Sequence, residues 1–355
     1  MLDTTIERAL VFLLGAIIVV ITLVSAIRTF VVPRSQRDRI SRWVFLATRK
    51  LFSPWTNLKR PYKERDRAMA FYAPFSLLVL PVVWLALVAA GYTAMYWAVG
   101  APTIGTAFTD SGSSLLTLGF APINTLPAKM LAFSEAAIGL ILIALLIAYL
   151  PAMYAAFARR EAAVSMLEVR AGSPPSAAEA IMRYNRIHGF ERFGDLWATW
   201  ETWFVELEES HTSLAALSFF RSPQPERSWV TAAGAVLDTA SLVNAAVDTP
   251  HDPRADLCIR AGYLALRRIA DFFQLRYDPH PSRGDPISIS RAEFDAVCDQ
   301  LAAANVPLKP DREQAWEDFA GWRVNYDVVL LALARLTMAP PAPWSSDRAY
   351  AYQSN

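Results

Sequence analysis

The chain has 355 residues, 54% of them apolar and only 19% charged, with a mean hydropathy of +0.24. That balance is too apolar for an ordinary soluble domain and the length too great for one simple core, so two units are predicted. A net charge of +1 conceals strong local asymmetry and identifies no partner, no nucleic-acid partner is expected, and two lone cysteines, Cys258 and Cys298, exclude a disulfide framework and a zinc site.

A helix needs about 20 apolar residues to cross a bilayer. The first qualifying segment runs from about Ala9 to Val32, interrupted by Arg28 near its end. A cleaved leader is the alternative, but the run exceeds the usual ~7–15 residues and Asp3, Glu7 and Arg8 do not form a basic start, which favours a retained span. The second segment covers Met69 to Val99 and carries Pro74, Pro81 and Gly91. The third covers Met130 to Ala158, with an unbroken apolar run from Ile138 to Ala148.

Loop charge sets the expected orientation. Between the first two segments lie Arg34, Arg37, Arg39, Arg42, Arg49, Lys50, Lys59, Arg60, Lys63, Arg65 and Arg67, against only Asp38, Glu64 and Asp66. A short basic loop stays cytoplasmic, which puts the N-terminus outside, the Gly100–Lys129 loop outside and the C-terminal half inside an inner-type cell membrane. Within the basic loop, Trp43, Phe45, Leu46, Leu51 and Phe52 alternate with Arg42, Arg49 and Lys50. The mixture suits either a helix at headgroup level on anionic lipid or an ordinary connector.

Gly100 to Lys129 is too apolar for a free outer loop and too broken to span. Non-helical backbone at membrane depth is tolerated where it is buried in protein or lines a water-filled path. The tract Ser114-Leu115-Leu116-Thr117-Leu118-Gly119-Phe120, set between two spans, resembles the pore loop of the potassium-channel superfamily, whose filter reads T-x-G-[YF]-G. The resemblance covers roughly Phe71 to Glu161 and implies outer helix, pore helix, filter and inner helix in that order. It also implies four chains around one axis and a permeant monovalent cation, potassium, with no other cofactor.

On that resemblance, Thr117, Leu118, Gly119, Phe120 and Ala121 form the ion-binding filter. Ser114 and Glu135 are expected to support the pore helix and filter, and Asp110 either caps or braces the pore helix or lies at the surface. Gly139 and Pro151 are hinge candidates in the inner helix, and Arg159-Arg160-Glu161 matches its charged end. Filter carbonyls would replace the ion's hydration shell, which requires alternating backbone hands that glycine tolerates. One departure stands out: the second filter glycine is Ala121, and Pro122 holds Ala121 to extended geometry, so the outermost site is expected to be altered. Glu135, about one turn inside the third span, either braces the pore loop or reaches the interface. Trp84, Tyr96, Trp97 and Tyr149 read as interface or lipid contacts.

From Glu161 the pattern is helical. Ser176–Glu179 and Ser290–Glu293 are capping boxes, and further helices are predicted near 191–217, 229–247, 254–273, 291–304 and 312–338. Pro- and Gly-rich clusters separate them. No dinucleotide fingerprint or phosphate loop occurs, the four histidines lack metal-ligand spacing, and nothing points to an enzyme.

The expected fold is therefore all-α. It comprises an N-terminal membrane helix (1–33), a basic linker (34–69), a channel-like pore domain (70–160), a cytoplasmic bundle of five or six helices (161–340) and a loose tail (341–355). A tetrameric cation channel is the first functional expectation. A non-conducting membrane scaffold on the same fold is the second, and a subunit completed by other chains the third.

Overall fold

The computed structural model describes residues 2–30, 32, 38–57 and 59–349. Among them helices are the one regular element, beside a single isolated bridge between Val247 and Leu308. Three helices are long and apolar enough to cross a membrane: α1 (Leu2–Phe30), α3 (Tyr62–Ala98) and α5 (Leu126–Ala171). Two compact units result, the first formed by residues 1–54 and 71–154 and the second by 55–70 and 155–355. Helices α3 and α5 each contribute to both.

In the first unit, α1 and α3 approach closely at a pair of glycines, because a Cβ on Gly15 would overlap the Gly91 carbonyl oxygen. Small residues permit such backbone contact between apolar helices. The basic linker is ordered into α2 (Arg39–Phe52), while Lys63, Arg65 and Arg67 belong to the first turns of α3. Arg34 and Arg37 lie outside the described residues. Asp38 caps α2, accepting from the Ser41 amide at 2.7 Å, and also accepts the Ser25 hydroxyl of α1 at 2.6 Å. Ser25 in turn accepts the Trp84 indole N–H at 2.9 Å. Trp84, Tyr96 and Tyr149 are buried, so the lipid-contact expectation fails for them: the rings pack inside the unit, and the Trp84 and Tyr96 polar atoms find hydrogen-bond partners there.

One face of α2 docks on α3. Thr48 and Ser76 hydroxyls meet at 2.7 Å, the Tyr72 hydroxyl donates to the Phe45 carbonyl, and the Phe52 ring packs against Tyr72 and Phe75. The opposite face leaves Arg42, Trp43, Leu46, Lys50 and Leu51 exposed.

The second unit is built around α8 (Trp229–Ala246), in which every residue but Asn244 is buried. A helix apolar on all sides belongs at a core's centre. Around it pack α6 (Ala177–Arg186), α7 (Phe193–Ser213), α9 (Pro253–Phe272), α10 (Arg291–Ala303), α11 (Arg312–Arg323) and α12 (Asp327–Thr337). Ser290 makes the full capping box with Glu293, whereas Ser176 makes half of one because the Glu179 carboxylate turns to Arg183.

The helix expected over 312–338 is two helices. Asn325 donates to the carbonyls of Gly321 and Trp322, capping α11, and the chain restarts at Asp327. The break places Arg323, fully buried, between two carboxylates. Its Nε donates to Asp327 at 2.7 Å, Nη1 pairs with Asp238, and Nη2 donates to the Trp344 carbonyl at 2.5 Å. Burial alone would lower the Arg323 pKa, but the two carboxylates outweigh it and hold the guanidinium charged. Tyr326 and Ser288 complete the network by donating to Asp238 and Asp327.

This network corrects the loose-tail expectation over 341–349. Ala342, Trp344, Ser345 and Ala349 are buried, and Trp344 packs on Phe319. Residues 350–355 lie outside the described residues.

Within the same unit the bases of α3 and α5 grip one short segment. Arg160 of α5 donates to the carbonyls of Leu217 and Phe220, each at 2.9 Å, and pairs with Glu161. Arg221, next along, pairs with Asp66 of α3 and donates to the Met338 carbonyl. His211 lies 3.2 Å from Arg160 through Nε2 and 3.0 Å from the Leu207 carbonyl through Nδ1. The carbonyl needs a donor and the guanidinium an acceptor, which assigns the ring proton to Nδ1. Burial and then the Arg160 charge hold His211 neutral, well below the usual histidine range. Cys258 and Cys298 are buried free thiols; burial raises both, Cys298 to about 11, which leaves them unreactive.

Candidate functional site

Between α3 and α5 stands the short helix α4 (Ile104–Leu115), followed by an irregular segment to Thr125. Thr103 caps α4, its hydroxyl accepting from the Thr106 amide at 3.1 Å. Asp110, expected to cap or brace, sits inside the helix, and its side chain makes no hydrogen bond to the described residues. A cap must precede the first turn, and Thr103 already holds that place.

The last turn of α4 organises the whole segment after it. The Thr117 amide donates to the Ser114 carbonyl at 3.0 Å. The Leu118 and Gly119 amides donate to the Ser113 carbonyl at 2.8 and 3.3 Å. The Phe120 and Ala121 amides donate to the Ser113 hydroxyl, both at 3.1 Å. Five successive amides are thus satisfied on one side. None of the carbonyl oxygens of residues 117–121 accepts a hydrogen bond among the described residues.

The backbone hand alternates along this stretch. Thr117 and Gly119 have φ of +53° and +70°, while Leu118, Phe120 and Ala121 do not enter the positive region. Glycine adopts that hand readily, whereas for threonine it costs about 1–2 kcal/mol, held here by the amide bonds just described. Ala121 behaves as its proline neighbour requires. The side chains of Leu116, Leu118 and Phe120 are 52%, 60% and 63% exposed, a row of apolar groups left uncovered within one chain.

Behind α4 lies a buried polar brace. Glu135 of α5 is fully buried and accepts the Ser111 hydroxyl at 2.5 Å, with Tyr96 beside it. It therefore braces α4 and does not reach an interface. Ser114 meets the Tyr96 hydroxyl at 3.2 Å and donates to the Asp110 carbonyl. Tyr92 of α3 meets Ser134 of α5 at 2.9 Å. Gly139 lies against Leu115, where a Cβ would overlap the Leu115 carbonyl oxygen. Its missing side chain is thus explained by the seating of α4. Helix α5 runs unbroken through both Gly139 and Pro151.

The structure brings Thr117–Ala121, Ser114, Glu135 and Gly139 together around α4 and leaves Pro151 apart. Sequence reasoning missed Ser113 and Ser111, which make the decisive contacts. The serine-rich turn Ser111-Gly112-Ser113-Ser114 was the available signal: hydroxyls clustered on a short helix between apolar spans need partners. Among the described residues no group of His, Cys, Asp and Glu is arranged to hold a metal ion. Comparison with protein-family models, curated proteins and solved structures returns no match.

Proposed function

We propose that the chain is one quarter of a membrane cation channel, with the carbonyls of Thr117 to Ala121 lining the ion path. The observation that carries this reading is the segregation of the filter-like tract: five amides turned to α4, and the carbonyls without partners. Partnerless carbonyls are costly in a dry site and useful where they replace the hydration shell of a cation such as potassium. The negative end of the α4 dipole adds to the attraction. One chain supplies one wall, so four chains are required, and the exposed Leu116, Leu118 and Phe120 would be covered by neighbours.

In this reading α4 and its loop form a re-entrant element entered from outside, and the second unit lies in the cytoplasm, as the basic α2 segment dictates. The exposed Arg42, Trp43, Leu46, Lys50 and Leu51 rest on anionic lipid headgroups. Ala121-Pro122 alters the outermost ion site, so discrimination of potassium from sodium is reduced relative to a filter with two glycines. That same substitution favours the second reading, a non-conducting scaffold. Native mass measurement in lipid nanodiscs tests the assembly. Four 39.4-kDa chains per particle are expected; a monomer or dimer in nanodiscs of several lipid compositions would sink the channel reading.

A further inference from the structure

The second unit holds a cavity of about 610 Å³ between α5, α6 and α7, within the ~300–1,000 Å³ typical of small-molecule sites. Its walls are aliphatic and aromatic: Ala163 and Leu167 from α5, Tyr184 from α6, and Leu196 and Trp200 from α7. Arg170, Arg183, Arg186 and Arg192 line it, against the single carboxylate of Asp195. Two of these arginines are already engaged. Arg183 pairs with Glu179 and donates to the carbonyls of Glu168 and Val169, and Arg170 donates to the Met166 carbonyl. The side chains of Arg186 and Arg192 are exposed and make no hydrogen bond or ion pair to the described residues.

The lining selects a ligand class. Tyr184, stacked on Phe193 at 4.2 Å, is 8% exposed and Trp200, edge-on to Trp203 at 4.4 Å, is 3% exposed, so neither ring presents an open face to a planar base. Its hydroxyls are those of Thr199 and Tyr184 and its one carboxylate is Asp195, a polar set small beside the four arginines. We infer that the cavity binds a diffusible anionic amphiphile, an aliphatic chain ending in a phosphate or carboxylate. The chain lies against Leu167, Leu196 and Trp200, and the head group is held by Arg186 and Arg192. Guanidinium recognises either anion through paired, charge-assisted hydrogen bonds.

Position argues for a ligand delivered from water. At 1.5 Å per residue, the α5 wall from Ala163 to Arg170 begins about 6 Å and ends about 16 Å beyond Arg159, where the apolar run stops. The headgroup layer is only about 5–7 Å deep on each side. This step, and any effect of the ligand on ion flow through α5, rests on the proposed channel reading; binding itself does not.

Equilibrium dialysis tests the site directly, using the full chain in zwitterionic nanodiscs and radiolabelled dodecyl phosphate below its micelle concentration. Empty nanodiscs serve as the blank. Saturable uptake of one molecule per chain is expected, unaffected by neutral dodecyl maltoside at equal concentration. The Arg186→Ala/Arg192→Ala variant should bind at least tenfold more weakly, since each charge-assisted contact is worth about that factor. Thr199→Trp, which fills the cavity and keeps the charge, should weaken binding as well, with helical circular dichroism unchanged in both variants. Uptake equal to that of empty discs, or equal in all three proteins, would overturn the site. Displacement by anionic lipid placed in the disc would overturn the diffusible source. Because dialysis reads no current, a protein that fails to conduct leaves the binding result standing.

Discussion

Replacing Arg323 with methionine is expected to destabilise the second unit by about 3–5 kcal/mol, the cost of leaving a buried ion pair half removed. The change strands the Asp238 and Asp327 carboxylates, 2% and 1% exposed, without their shared cation. It also removes the donor to the Trp344 carbonyl, so the segment over 341–349 loses its anchor. Against the 5–15 kcal/mol that holds a typical domain together, this is a large fraction. For a unit of this size it lowers the melting midpoint by about 10 °C. Tryptophan fluorescence on heating would record it. Adding Asp238→Asn to Arg323→Met should restore part of the loss, because one stranded charge is then gone. A midpoint unchanged in the single variant would show that the network contributes nothing to stability.

A single methyl at position 139 is expected to disturb the filter-like tract although it lies on a different helix. In Gly139→Ala the new Cβ overlaps the Leu115 carbonyl oxygen, a backbone atom that cannot rotate away. Helix α4 must shift, and Ser113 in the same turn holds the amides of residues 118–121. Overpacking of this kind costs about 1–3 kcal/mol, which corresponds to roughly 5- to 150-fold faster hydrogen exchange at those amides when they open locally. The helix α5 itself gains from the change, since alanine is the better helix former by about 1 kcal/mol. The two effects therefore have opposite signs at two places. A hinge glycine would behave otherwise: stiffening α5 would alter opening and closing while the exchange of residues 118–121 stayed the same. Exchange measured by mass spectrometry separates the two, and unchanged protection at 118–121 would dismiss the packing role.

Much of this architecture was legible in the chain. Length and apolarity announced the three long helices, because the bilayer demands about 20 apolar residues and little else. Ser176 and Ser290 announced helix starts, because a cap is a local interaction. Contacts that depend on which faces meet were not legible. Trp84 and Tyr96 look like interface residues by type, and only the packing of α1, α3 and α4 shows their polar atoms engaged inside. The break between α11 and α12 carries no proline or glycine at its centre. It exists because Asn325 caps one helix and because Arg323 is needed between Asp238 and Asp327. The tail looked loose for its prolines, and it is held by a carbonyl–guanidinium bond that no local pattern encodes.

The candidate site divides along the same line. Thr117 and Gly119 stood out through their resemblance to a known tract, and both adopt the positive φ that an alternating backbone requires. Ser113, which sets the direction of that backbone, resembled filler. Glu135 was visible as a carboxylate in an apolar helix, but its partner Ser111 comes from 24 residues away and had to be found in space.

Cation flux from the purified protein in liposomes, wild type beside Gly119→Asp, tests the central claim most directly. Position 119 has φ of +70°, which aspartate tolerates better than most residues, so the variant should assemble while placing a carboxylate among the carbonyls of 117–121. The account predicts potassium flux in the wild type, lost in the variant with the four-chain particle intact, and a sodium flux that is measurable because Ala121 stands at the outer position. Flux that persists unchanged in Gly119→Asp, or none from assembled wild-type protein across lipids and voltages, would contradict it.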